Sequence, residues 1–357
     1  MNKLKVGIVF GGMSTENKVS IVSASYVVQN LDKEKYDIYP IYISSKGIWG
    51  ELSNNVKIEK FNIEKELEGI IEIENVYKYL KQLDIIFPVL HGLYGEDGTI
   101  QGMLELLQIP YVGCGVLASS VGMDKVYTKI VLEKADIKQT KYEYIRKYKE
   151  KYIYVDKSFN EKIMDLIDIS KIICKNIKFP MFIKPSNSGS SVGVRKADNI
   201  KELIDNIKYA SEFDKKILIE EGIDGREVEC AVLGNEEVIS SCLGEIKPAE
   251  EFYSFDAKYN NSESKVIIPA IIDKKIEENI KVLAIKAFKS IDGKGLSRVD
   301  FFIENGTNEI YINEINTLPG FTSISMYPKL FEKSGITYVE LLDKLIEKGM
   351  ERKRSEY

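Results

Sequence analysis

Leu4 to Phe10 (LKVGIVF) is apolar at almost every position, the run expected of a strand covered on both faces, and Asn17 to Leu31 reads as the helix that follows it. Tyr36 to Ile43 alternates and is rich in Ile and Tyr, which predicts a second strand. Asp84 to Leu90, with its run IIFPVL, predicts a third, and Thr99 to Leu107 another helix. Strands alternating with helices imply a parallel sheet with crossover connections. The segment 1–115 therefore reads as one open α/β unit.

The texture then changes. Asp124 to Ala135 predicts a helix and Lys141 to Ile145 a strand. The stretch KYKEKYIYVDKSFNEK (147–162) has no clear core face, so a solvated excursion is expected, and 147–178 as a whole reads as a peripheral insertion. Phe179 to Lys184 is a short strand followed by PSNSGSSVG (185–193), a Gly/Ser loop of the kind that covers phosphates. Lys216 to Glu220 and Glu227 to Leu233 predict strands. Residues 246–264 are polar and turn-rich with embedded aromatics, too long for a mere connector. The clearest helix is Lys274 to Ile291, where Ile276, Ile280, Leu283, Ala287 and Ile291 fall on one face. Ser297 to Ile303 and Glu309 to Ile312 predict paired strands ending in acidic and amide residues. A last helix, Thr337 to Gly349, precedes a charged tail, ERKRSEY, expected to fray.

Composition narrows the class. At ~150 residues per domain, a chain of this length suggests two or three domains. With 44% hydrophobic and 29% charged residues the chain is not disordered, and 50 Lys+Arg against 55 Asp+Glu argues against a broad basic surface for nucleic acid. No segment approaches the ~20 apolar residues of a membrane span, and the N-terminus fits a buried strand better than a signal peptide. Cys114, Cys174, Cys230 and Cys242 show no CxxC spacing, so buried reduced thiols and a cytoplasmic protein are expected. The single histidine, His91, excludes a two-His metal site. Neither a P-loop nor a G-x-G-x-x-G after the first strand is present.

What remains is Lys, Arg, carboxylate and amide residues at strand ends and Gly-rich turns. Asp300 on one strand, with Glu314 and Asn316 at the end of the next, offers a hard all-oxygen set suited to Mg²⁺, the alternative being a capped turn or a solvated hairpin end. Arg298, two residues before Asp300, points to the same face and could neutralise charge that builds up in acyl or phosphoryl transfer; a surface arginine paired to a Glu is the alternative. Lys125 opens a helix, and Lys184 ends a buried strand where an anionic partner such as phosphate is expected. Glu220-Glu221 ends another strand, where a carboxylate could accept from an adenine amino group.

In order, GGMSTENKVS (11–20), FPVLHGLYGEDGTIQG (87–102), YVGCGVLASSVGMDK (111–125), FIKPSNSGSSVGV (182–194), EEGIDGREVECAVLG (220–234), EFYSFDAKY (251–259), SRVDFF (297–302) and NEINTLPGFTSISMYPKL (313–330) resemble the D-alanine–D-alanine ligases of the ATP-grasp superfamily. The match runs over nearly the whole chain. The resemblance implies an α/β chain in which an N-terminal open parallel-sheet domain (1–115) carries the first D-alanine subsite. A central ATP-grasp subdomain (116–218) with the Gly/Ser loop follows. The C-terminal subdomain (219–357) then holds the Mg²⁺ site, a lid at 246–264 and the second subsite. It implies ATP-dependent coupling of two D-alanines through a D-alanyl phosphate for peptidoglycan synthesis, with two Mg²⁺ (or Mn²⁺) per site, and usually a homodimer.

Carried over by position, the resemblance puts Lys125 and Lys184 on ATP phosphates, Glu220 on the adenine amino group, the Glu221 and Ile223 backbones along the adenine, and Glu227 on the ribose. Asp300, Glu314 and Asn316 hold Mg²⁺; Arg298 and the Gly320 N–H form the oxyanion hole. Glu16 anchors the ammonium of the first D-alanine and bonds with Ser190 and Tyr259, and His91 lies near the same substrate. Ser325 and Met326 border the second D-alanine, while Lys258 reaches the γ-phosphate as the lid closes. The sequence departs from the family at Asn17, where a histidine is usual. Two other readings stay open: a D-Ala–D-Ser or D-Ala–D-Lac ligase, against which Tyr259 and Met326 weigh, and a non-catalytic ATP-binding descendant.

Overall fold

The structure, a computed structural model, describes residues 3–52, 58, 68–247 and 265–355. Tyr259 and Lys258, and most of the expected lid, lie outside them.

The first sheet is ordered β4-β3-β2-β1-β5, from β1 (Leu4–Gly11), β2 (Tyr36–Ile43), β3 (Trp49–Leu52), β4 (Ile70–Glu72) and β5 (Ile85–Leu90). β1 runs parallel to β2 and β5, as the alternation of elements requires, but β3 and β4 add an antiparallel edge, so the sheet is mixed rather than parallel throughout. Val6, Ile8 and Phe10 are fully buried on one face of β1 and Val9 on the other, each face in its own core cluster, the two-sided cover their apolar run calls for. Helices α1 (Asn17–Asn30), α2 (Val76–Leu80), α3 (Thr99–Leu107), α4 (Val116–Met123) and α5 (Lys125–Lys134) belong to this half of the chain. The turns after β1 and β5 leave the carboxyl ends of adjacent parallel strands, where open α/β sheets place their ligands.

The second sheet, β10-β9-β11-β6-β7-β8, corrects the expectation for 147–178. Its strands are β6 (Tyr142–Tyr148), β7 (Lys151–Val155), β8 (Glu161–Met164), β9 (Met181–Pro185), β10 (Arg195–Ala197) and β11 (Lys216–Glu221). The Lys/Tyr stretch is no solvated excursion: it forms β7 and β8, with Ile153 and Val155 buried on one face of β7 while Tyr152 and Tyr154 pack from the other on the core shared with Ile145. Nor is the remainder peripheral. Ile169 and Ile173 of α6 (Leu166–Asn176) pack with Leu203 and Ile207 of α7 (Ile200–Ala210) on Ile145, Ile183, Ile217 and Ile219.

The third sheet is antiparallel, β14-β13-β12-β15-β16, from β12 (Gly225–Gly234), β13 (Val238–Lys247), β14 (Lys265–Ile267), β15 (Gly295–Glu304) and β16 (Ile310–Asn316). The expected pairing of the last two strands holds, with Asp300 opposite Glu314 and Arg298 opposite Asn316. Helix α8 (Lys274–Ser290) buries Ile280, Ala284, Ala287 and Phe288 against this sheet. Its periodic face is the expected one, and Asp273 caps it by accepting from the Lys275 N–H. Helices α9 (Met326–Lys333) and α10 (Tyr338–Ser355) join the third sheet to the first through one continuous core.

The tail expected to fray after Gly349 instead continues α10 to Ser355. Arg352 holds it, donating to the Gly113 carbonyl at 3.1 Å and to Glu105 at 3.0 Å, with its guanidinium over the Tyr111 ring. All four cysteines are free; burial pushes the Cys114 and Cys230 thiols up to about 12, whereas Cys174 and Cys242 are only half-buried. Among the described residues no helix is long and apolar enough to cross a membrane.

Candidate functional site

The three sheets enclose a cavity of about 910 Å³. Its wall includes Glu16, His91, Lys125, Lys184, Ser190, Glu220, Glu221, Ile223, Glu227, Arg298, Glu314, Asn316, Gly320, Ser325 and Met326, so the sequence candidates on the described residues converge there with one exception. Asp300 is 1% exposed and sits behind Arg298.

At one end, Glu16 precedes α1 and is buried. It accepts a hydrogen bond from the Ser190 hydroxyl across the cavity. A Cβ at Gly92 (φ +73°) would stand 2.5 Å from its Oε2, and one at Gly189 2.6 Å away. Only glycines on both sides let this carboxylate be held so closely. Ser190 and Ser191 themselves take left-handed backbone conformations, φ 50° and 58°, so the Glu16 bond pins a strained loop.

His91, at the end of β5, is buried with Nε2 3.1 Å from the Ser23 hydroxyl and Nδ1 3.4 Å from Glu96. Burial opposes its charged form, but Glu96 and Glu16 prevail and raise its pKa above the usual value. Burial raises the Glu96 carboxyl as well. Ser23 also accepts from the Phe321 N–H at 3.4 Å, joining this corner to the turn that carries Gly320. Asn17, the departure from the family, points elsewhere: it donates to the Gly12 carbonyl at 2.6 Å and accepts from Tyr42 at 3.2 Å.

The anion-binding side is built at the start of α5. Asp124 caps the helix, accepting from the Val126 and Tyr127 N–H groups, and is gripped by Lys216 at 2.5 Å and by the Ser186 hydroxyl at 2.6 Å. Burial works against its charge, yet these donors hold its carboxyl below the usual range. Lys125 follows directly and reaches the Ser188 carbonyl at 2.6 Å, under the Gly/Ser loop. A helix N-terminus, a lysine and a Gly/Ser loop together favour a phosphate.

Deeper in, Glu220 at the end of β11 meets two lysines, Lys184 at Oε2 (2.6 Å) and Lys129 at Oε1 (2.6 Å). Together they lower its pKa far below the ordinary carboxylate range against the opposing effect of burial. The Glu221 N–H donates to the Lys141 carbonyl at 2.9 Å, tying the strand end to the start of the neighbouring sheet segment.

At the far wall, Arg298 donates through Nε and Nη2 to both oxygens of Asp300 at 2.8 and 2.7 Å. It also pairs with Glu229 at 3.0 Å. The Asn316 amide donates to Asp300 at 3.0 Å, and Glu314 stands in register opposite it. Among the described residues no three acidic, His or Cys side chains form a metal cage. Two carboxylates and an amide oxygen nevertheless fit Mg²⁺, which keeps water and phosphate in its other positions. For that, Arg298 has to release Asp300 and keep Glu229. Met326 opens α9 with its methyl packed near Gly244, and Ser325 accepts from the Thr322 N–H at 3.0 Å.

Sequence reasoning passed over Lys129, Glu229 and Glu96. Lys129 is four residues after Lys125 and so shares its helix face, and Glu229 is two after Glu227 on one face of β12; those spacings were the available signals.

A family model described as the D-ala D-ala ligase N-terminus matches residues 5–114, and one for the D-ala D-ala ligase C-terminus matches 148–347. A D-alanine–D-alanine ligase of Clostridium acetobutylicum is 48% identical over 351 residues, 98% of this chain and 99% of the relative. That of Clostridium novyi is 48% identical with the same coverage. Among solved structures, the Coxiella burnetii D-alanine-D-alanine ligase superposes with TM-score 0.86 at 31% identity, covering 100% of this chain and 96% of that one. The VanG D-Ala:D-Ser ligase of Enterococcus faecalis gives 0.84 at 35%, over 98% and 100%. The Bacillus anthracis D-alanine–D-alanine ligase complexed with ATP gives 0.74 at 27%, over 99% and 100%.

Proposed function

The chain belongs to the D-alanine–D-alanine ligase family, and on that premise we propose that its cavity couples two D-alanines at the expense of ATP, for cell-wall precursor synthesis. The observation that carries this reading is convergence: Glu16 beside the first sheet, Lys184 on the second, Arg298, Glu314 and Asn316 on the third, and Lys125 on α5 all line one cavity, with Asp300 directly behind Arg298. The D-serine and D-lactate readings are not favoured, since the relatives at 48% identity are named for D-alanine and Met326 offers a substrate hydroxyl only a weak thioether acceptor.

The chemistry explains the residue types. A free carboxylate is a poor acyl donor, because attack at its carbon must expel oxide. Transfer of the γ-phosphoryl group to it gives an acyl phosphate, whose carbonyl the second amine attacks with loss of phosphate. Positioning and charge neutralisation are then the protein's work. Glu16, held by Ser190, orients the first D-alanine through its ammonium. Lys125 and Lys184 grip the phosphates; Glu220, Glu227 and the Glu221 and Ile223 backbones receive the nucleoside. Arg298 and the Gly320 N–H stabilise the tetrahedral oxyanion, and Ser325 and Met326 border the second substrate. Asp300, Glu314 and Asn316 would hold Mg²⁺, which supplies charge neutralisation to the transferring phosphoryl group.

We assign residues 1–115, 116–218 and 219–357 as the three domains, and a cytoplasmic homodimer as the working form. The test is a panel of amino and hydroxy acids with ATP and Mg²⁺, monitored by phosphate release. D-alanine is expected to give the fastest turnover; faster turnover with D-serine or D-lactate overturns the substrate assignment.

A further inference from the structure

Glu220 is one buried carboxylate with two lysines on it, and the two are not equivalent. Lys184 meets Oε2 and is 19% exposed at the cavity wall; Lys129 meets Oε1 and is 4% exposed. The Thr140 hydroxyl completes the inner contact, donating to Oε1 at 2.9 Å and accepting from Lys129 at 3.2 Å. The Lys129 ammonium also faces the Tyr142 ring at 5.2 Å. Two cations for one anion leave a surplus positive charge, and the cation able to leave is the one nearer the cavity.

From this we infer that Lys129 is a positioning residue for nucleotide binding: it remains the counter-ion of Glu220 while Lys184 is released from Oε2 to the triphosphate. The inference rests on the nucleotide reading of the cavity and goes beyond it. With Lys129 in place, departure of Lys184 leaves Glu220 ionised, compensated and free at Oε2 to accept a hydrogen bond from the exocyclic amine of adenine. A purine with a carbonyl at that position presents an acceptor to an anion and is rejected. Without Lys129, Lys184 becomes the sole partner of a buried carboxylate. Its release then strands an uncompensated charge, so the lysine stays on Glu220. Lys129 thus lowers the cost of the exchange and sustains discrimination between the two purines.

The test compares wild type with Lys129→Met, Lys129→Arg, Thr140→Val and Lys184→Met. It measures calorimetric binding of the β,γ-imido analogue of ATP with Mg²⁺, the ratio of kcat/KM for ATP to that for ITP, and the KM for D-alanine. Lys129→Met is expected to weaken analogue binding about 10-fold or more and to cut the ATP/ITP ratio about 5-fold, with the D-alanine KM within about twofold. Lys129→Arg is expected to restore most of both. A purely structural lysine lowers the melting temperature without moving the purine ratio, so a folded Lys129→Met with unchanged binding and ratio overturns the inference. If that variant does not fold, Thr140→Val decides: a smaller loss in the same ratio supports the inference, and an unchanged ratio overturns it. Should wild type fail to bind the analogue, or Lys184→Met bind it as wild type does, the nucleotide reading itself falls, and this proposal with it.

Discussion

Replacing Arg298 separates what the site needs for folding from what it needs for chemistry. Burial disfavours its charge, but Asp300 and Glu229 hold the guanidinium protonated well beyond its ordinary range. Its side chain is 18% exposed, while those of Asp300 and Glu229 are 2% and 4% exposed. Arg298→Ala therefore leaves two buried carboxylates without their cation, a change worth about 3–5 kcal/mol. Against a total of about 5–15 kcal/mol for a domain, the fold survives but its urea midpoint falls. Loss of an oxyanion donor costs about 10²–10³ in kcat, assayed by ADP release at saturating D-alanine below the midpoint. Arg298→Lys keeps the charge but not the paired N–H bonds, and should fall between. Adding Glu229→Gln to Arg298→Ala removes one stranded charge, so stability should partly return while kcat does not. A folded Arg298→Ala enzyme with kcat within about threefold of wild type refutes the oxyanion role.

Two further outcomes follow from the first subsite. The raised pKa of His91 means that its pairing with Glu96 stabilises the fold fully below about 6.5, the ordinary histidine value, and that this contribution is lost as pH rises through the higher folded value. His91→Gln should show less decline in stability across that window, measured by urea unfolding at a series of pH values; an identical decline contradicts the assignment. Ser190→Ala removes the bond that holds both Glu16 and a left-handed loop, so the KM for D-alanine should rise about 10-fold with KM for ATP much less affected; the reverse pattern would move Ser190 to the nucleotide side.

Strand ends were legible because their chemistry is anomalous for their burial. Lys184 at the end of an apolar strand, and Arg298 and Asp300 two apart on another, need partners that a core cannot give, and the pairing of β15 with β16 could be read from their adjacency. The Lys/Tyr stretch hid β7 because both of its faces carry apolar contacts, Ile153 and Val155 on one, beside exposed Lys151, and Tyr152 and Tyr154 on the other, so no apolar/polar alternation shows in the sequence. Helix α9 was missed for a similar reason: Pro328 interrupts the pattern, though in the first turn it is tolerated. Lys129 looked like any solvated helix lysine, since its meaning depends on Glu220 arriving from a distant strand. Arg298 was assigned from spacing to Asp300, but spacing along one strand is silent about Glu229 across the sheet.

By this mechanism a D-alanine carboxylate becomes an acyl phosphate in the cavity before the peptide bond forms. Turnover with D-alanine labelled with ¹⁸O in its carboxylate, followed by mass analysis of the inorganic phosphate, tests it most directly. Phosphate carrying one atom of the label is the expected result, because the carboxylate oxygen that attacks phosphorus leaves with it. Dipeptide formed with unlabelled phosphate would rule out the acyl phosphate.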